Sequence, residues 1–192
     1  MTAGTTAVCA PHDYTGAAGT TAEARTSPAR RRRHVMQLLT FTVAGQAYAV
    51  ESRTVVEVLP LVPARPIPLT PAYVRGVFTY RGGLVPLVDL GERLVARPPQ
   101  ERLSTRVIVV EFRPADGGTP LRMGLVAENV IAIRAAEEAE AELPALDLPD
   151  APFLGRIFRL PDGTVQLIDP ARLLPAELTA GLFPRLAAVP QP

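Results

Sequence analysis

The chain has 192 residues, 47% of them apolar and 20% charged, enough to bury a core in one domain or a pair of small subdomains. Cys9 is the only cysteine, and His12 and His34 are the only histidines. That excludes an internal disulfide, a thiolate metal cluster and histidine acid–base chemistry from the body of the chain. The net charge of +1 is unevenly divided: residues 1–35 carry five arginines against two acids, while the rest carries fifteen arginines against seventeen acids. The basicity belongs to the N-terminal segment, and the remainder is no obvious polyanion binder.

Residues 1–35 lack a hydrophobic period, are rich in Thr, Ala and Gly, and end on the run Arg30–Arg33. They read as a disordered extension. The run is a solvated basic flank or, as the alternative function, a nucleic-acid or anionic-surface arm. Order is expected from Met36. VMQLLTFTVAGQAYAV reads as strand, turn, strand, and ESRTVVEVLP as a short strand or helical turn. LPLVPARPIPLTP carries prolines 60, 63, 66, 68 and 71 and is expected to be extended and irregular. AYVRGVFT, residues 72–79, reads as a short helix. GLVPLVDL reads as a strand in which Pro86 argues for an edge or a bulge. RVIVVEF is strongly strand-like, and LRMGLVAENVIAI returns as one or more strands. The stretch from Ala135 is acidic and reads as a surface helical turn or loop, with Glu137, Glu138, Glu140 and Glu142 as a solvated face rather than a hard-cation site. GRIFRLPDGTVQLID is a hairpin, and PAELTAGLFPRL a closing short helix. The pattern is mainly β. No apolar run approaches the roughly 18 residues of a membrane helix, and no secretory signal is evident, so a cytoplasmic protein without direct membrane insertion is expected.

Residues 77–94 and 157–174 align without a gap at an offset of 80: VFTYRGGLVPLVDLGERL lies over IFRLPDGTVQLIDPARLL. The repeat implies two related halves, each a hairpin followed by a short helix. Asp89 and Asp169 take equivalent places between strand and helix, and Pro170 follows Asp169. Asp at N-cap with Pro next is a helix start, so both aspartates read as structural caps rather than a catalytic pair. Arg81 aligns with Pro161, so the repeat does not require an arginine in the turn. It is an exposed turn residue, one half of a local ion pair, or a side chain held out for a partner.

There is no GxxxxGK[ST] loop, no GxGxxG signature, no GxSxG elbow and no metal-ligand spacing in the part expected to be ordered. No catalytic residue, metal or cofactor is expected. An interaction module is favoured over an enzyme.

FTVAGQAYAV, VVEVLP, TPAYVRGVFTYRGGLVPLVDL, RMGLVAENV and FLGRIFRLPDGTVQLIDPARLL together resemble the CheW-type chemotaxis coupling proteins. The resemblance runs from Leu39 to about Leu174. It implies two intertwined five-stranded β-barrels of SH3-like topology within a domain at 36–185, followed by a tail at 186–192. It also implies an adaptor that binds the cytoplasmic tip of transmembrane chemoreceptors and the regulatory domain of a CheA-type histidine kinase, with no nucleic acid expected. By that resemblance Arg81, Val55, Glu57 and Val107 are receptor contacts, and Leu84 belongs to the kinase-facing surface. Gly76 is a backbone requirement. The sequence departs from the family pattern at several points: Thr79-Tyr80 stands where the family has asparagine-leucine before the arginine, and Gly83 replaces an aliphatic residue.

Overall fold

The computed structural model describes residues 35–97, 103–114, 118–137, 141–142 and 148–183. The basic arm, the C-terminal tail, and Glu138 and Glu140 of the acidic run lie outside the described residues. Among the described residues, nine strands and two short helices follow in chain order. They are β1 (Val35–Val43), β2 (Gln46–Glu51), β3 (Val55–Pro60), β4 (Val74–Tyr80), β5 (Gly83–Asp89), α1 (Leu90–Val95), β6 (Arg106–Phe112), β7 (Leu121–Glu137), β8 (Leu154–Leu160), β9 (Gly163–Ile168) and α2 (Ala176–Leu182). A 3-10 turn at Ser52–Thr54 precedes β3, and another at Pro170–Arg172 follows β9.

The strands fall into two five-stranded sets that share β7. In the first, the hydrogen-bonded order is β3-β6-β7-β5-β4. In the second it is β7-β1-β2-β9-β8. No ladder between described strands closes either set into a ring. The mainly β expectation therefore holds, while the seam of each set is not a strand ladder.

The repeat is visible in the elements. β4, β5 and α1 superpose in numbering on β8, β9 and the second 3-10 turn: Val74–Tyr80 against Leu154–Leu160, and the caps Asp89 and Asp169 opposite one another. Asp89 Oδ1 accepts from the Glu92 amide at 3.0 Å, and Asp169 Oδ1 from the Ala171 amide at 3.0 Å. Each satisfies a donor that a helix start leaves open.

Two sequence expectations are corrected. Residues 74–80 form a strand, not a helix, because Gly76 sits at φ 132° and the segment pairs with β5 from Val74 to Tyr80. Residues 135–137 continue β7, because the N-terminal end of β1 pairs with them, Val35 against Glu137 and Gln37 against Ala135. Pro86 is accommodated without an outer edge: it faces Val77 on β4, and pairing of β5 with β7 begins one residue later, at Leu87.

Three apolar clusters fill the fold. On β6, Val107 and Val109 point into the first set, with Phe78, Tyr80, Val85, Leu87 and Val126. Ile108, Val110 and Phe112 point the other way, into a cluster shared with Leu39, Phe41 and Val43 of β1. Leu38, Ala49, Phe158 and Val165 fill the second set. A strand buried on both faces reads as a continuous apolar run, which is the form RVIVVEF has.

Candidate docking site

The turn joining β4 to β5 is made by Arg81 at φ 49° and Gly82 at φ 81°. Two successive left-handed residues are the hairpin geometry that matches strand twist, and glycine is its usual second member. Ala44 at φ 49° and Gly45 at φ 83° make the same turn between β1 and β2. Alanine thus suffices at the first position, and the turn does not need the arginine side chain.

That side chain is 64% exposed and donates from Nη2 to Glu57 Oε2 at 2.9 Å. The Tyr80 hydroxyl donates to the same oxygen at 2.6 Å. The Arg81 guanidinium also lies over the Tyr80 ring, 5.1 Å from its centroid. Glu57 is on β3 and Tyr80 on β4, the opposite ends of the first set. The set therefore curls until its end strands meet through side chains, and the Arg81 cluster marks that seam. The Tyr80 hydroxyl, and after it the Arg81 hydrogen bond, hold the Glu57 carboxyl below the usual carboxylate range. The bond to Glu57 raises the Tyr80 phenol.

The remaining expected site residues are placed as follows. Val55 is half-buried at the start of β3, opposite Val110. Val107 is fully buried in the first set and offers no surface to a partner. Leu84 is 73% exposed beside a surface pocket of 520 Å³ that Pro63, Ile67, Pro68 and Val77 also line. The structure thus brings Arg81 and Glu57 together and leaves Val55, Val107 and Leu84 outside their contact. At Gly76 an added Cβ would meet the Arg65 carbonyl oxygen at 2.0 Å. Arg65 and Val77 exchange backbone hydrogen bonds there at 2.8 and 2.9 Å, pinning the proline-rich link across β4.

Two features escaped sequence reasoning. Tyr80 has no assignment in the sequence, although a tyrosine replacing leucine beside the arginine was a signal. Ile131 and Ile133 are 67% and 57% exposed on one face of β7, where the alternation V-I-A-I could have shown an outward apolar stripe. A larger concavity of 1070 Å³ beside α2 shares no residue with the Arg81 cluster. Arg93 and Arg172 on its wall donate to the carbonyls of Leu173 and Pro152.

A mainly β module of two related halves, with an arginine propped at an exposed seam, is the class these observations define. The family model described as the CheW-like domain matches residues 37–178, so the chain belongs to the CheW-like domain family. It is 34% identical over 77 residues to the chemotaxis protein CheW of Rhizobium meliloti (strain 1021), covering 40% of this chain and 50% of that one. It is 36% identical over 61 residues to the chemotaxis protein CheW of Treponema pallidum (strain Nichols), covering 32% of this chain and 36% of that one. The chain spans about half the length of the curated relatives it matches, or less. The crystal structure of the scaffolding protein TtCheW from Thermoanaerobacter tengcongensis superposes with a TM-score of 0.64 at 22% identity, covering 76% of this chain and 92% of that one. That likeness is one of fold. Among the described residues no helix is long and apolar enough to cross a membrane.

Proposed function

We propose that this chain is a non-enzymatic scaffold of chemotaxis-type signalling, holding the cytoplasmic tip of a transmembrane chemoreceptor and the regulatory domain of a CheA-type histidine kinase in fixed geometry. Its place is then the cytoplasmic side of the membrane, in receptor complexes. The observation that carries the reading is Arg81: an exposed cation that its turn does not require, propped by Tyr80 and Glu57. It occupies the position that the family resemblance gives to the receptor contact. An exposed cation that keeps donors free suits the rim of a docking surface for a helix. Arg81 and Glu57 are then direct receptor contacts, with Val55 at their flank. Val107, being buried, supports the face from beneath. Leu84, exposed beside the pocket lined by Pro63 and Pro68, is then the kinase-facing residue. Coupling follows if the receptor–kinase contacts held by the scaffold differ between signalling states.

The test is reconstitution. The full chain, a soluble receptor cytoplasmic fragment and the kinase should co-elute as a ternary complex, and kinase autophosphorylation should become receptor-dependent only when the chain is present. Absence of a ternary complex at micromolar concentrations overturns the reading.

A further inference from the structure

We infer that Tyr80 is a positioning residue of the docking site: its ring fixes Arg81 and its hydroxyl fixes Glu57, so the charged pair is held ready before a partner arrives. The inference rests on the coupling reading above, and deepens it by assigning a role to a residue outside the expected contacts.

The geometry has three parts. First, the Tyr80 ring is anchored. It is 7% exposed and packed with Val85, Leu87, Val107 and Val109, with the Phe78 ring 6.4 Å away. Second, its hydroxyl reaches across the seam to Glu57 Oε2 at 2.6 Å, the oxygen that Arg81 also uses. Third, its outer face carries the Arg81 guanidinium at 5.1 Å. One buried side chain thus touches both the exposed Arg81 and the half-buried Glu57. Arg122, the other cation acting on Tyr80, is itself bonded to Glu111 at 2.9 Å and does not compete for Glu57.

An exposed ion pair between flexible side chains loses much of its gain to ordering entropy and screening. A rigid phenol that donates to the carboxylate and stacks under the guanidinium removes part of that loss in the free protein. Arg81 then spends one Nη2 donor on Glu57 and keeps the rest of its planar fork for a carboxylate on the docking helix. A leucine at this place, the residue of the family pattern, could pack but could neither donate to Glu57 nor offer Arg81 an aromatic face. Tyr80 therefore ties the acceptor on β3 to the cation in the β4–β5 turn.

The experiment uses the full chain, with Tyr80→Phe, Tyr80→Leu, Glu57→Ala and the Tyr80→Phe/Glu57→Ala pair. Carboxyl-carbon NMR follows the titration of Glu57, and calorimetry follows binding to a soluble receptor cytoplasmic fragment. In Tyr80→Phe the Glu57 midpoint should rise, melting should stay close to wild type, and affinity should fall about three- to tenfold, the share of a charge-assisted hydrogen bond felt in binding. Tyr80→Leu should raise the midpoint as well and guards against a folding defect in the first variant. In the Glu57→Ala background Tyr80→Phe should cost almost nothing further, because the hydroxyl has no carboxylate left to hold. An unchanged Glu57 midpoint in Tyr80→Phe overturns the inference, as does an equal loss of affinity with and without Glu57. If the wild-type chain fails to bind the fragment, the coupling reading falls. The Glu57 titration still decides whether Tyr80 holds the carboxylate.

Discussion

Arg81 is set apart by a mismatch within the chain: the equivalent turn in the second half begins with Pro161, and the β1–β2 turn has Ala44 at the same φ of 49°. Its side chain is thus free to be selected for a partner. Arg81→Glu should cut affinity for a receptor cytoplasmic fragment about tenfold or more, since it removes the cation and sets a second carboxylate beside Glu57. The melting temperature should stay near wild type, because an exposed ion pair contributes little to stability. Isothermal calorimetry and a thermal melt check both halves of the statement. A large loss of melting temperature with intact binding would make Arg81 purely structural. At this scale the sequence made Arg81 legible and left Val107 and Tyr80 obscure, for different physical reasons. In RVIVVEF both strand faces are buried, so apolar alternation carries no information about which valine is reachable. The Tyr80–Glu57 bond spans 23 positions and two end strands, and no local spacing announces it.

Among the elements, the paired hairpins were the most legible feature, because strand, turn, strand and cap recur in the same order. The turns are pinned alike but with inverted charge. Arg81 pairs with Glu57 on an end strand of its set, and Asp162 with Arg134 on an end strand of the other, at 2.8 Å. The caps invite a direct test. Asp89→Ala should cost about 1–2 kcal/mol in urea unfolding, through the lost bond to the Glu92 amide. Asp89→Asn keeps an acceptor and should cost less. Burial pushes the Asp89 carboxyl above its usual value, against the opposing pull of the Glu92 amide and Arg75. The folded chain then binds that proton more tightly than the unfolded chain. Stability from this group is full below the unfolded carboxylate range and is lost as pH rises through the raised folded value. Relative to Asp89→Asn, wild type should therefore weaken as pH climbs from about 4 through that value. A gap that stays constant across the range would show that Asp89 is not desolvated. Gly76→Ala should be harsher, about 3 kcal/mol or more, because the new Cβ clashes with backbone rather than a movable side chain. The β4 segment misread as helix turns on this residue: AYVRGVFT alone does not reveal that residue 76 must sit at positive φ under the proline-rich link.

For the whole molecule, β7 is the element that makes two halves one body. Its first part pairs with β5 and β6, and its last part with β1. The cluster containing Leu125 draws on β1, β2, β5, β6 and β7, and on Phe153 and Leu173 beyond them. That continuity was hidden in the sequence, because LRMGLVAENVIAIRAAE contains Gly124 and Asn129 and looks divisible. Asn129 takes φ 46°, close to the irregularity in the β1–β7 ladder, and the strand runs on past it. The consequence is mechanical. The proposed scaffold, if it is to fix two partners, must not let its halves open separately, and here both halves draw on one shared apolar cluster. Leu125 is fully buried on β7, between Val88 and Ile108. Leu125→Ala should cost about 2–5 kcal/mol, as a large-to-small change in a close-packed site does. The loss should appear equally in hydrogen exchange of β6 amides in the first set and β9 amides in the second, with one urea transition for both. If the β9 amides kept their protection while the β6 amides lost theirs, the halves would be separable units. The fixed geometry that the proposed coupling requires would then have to come from the partners.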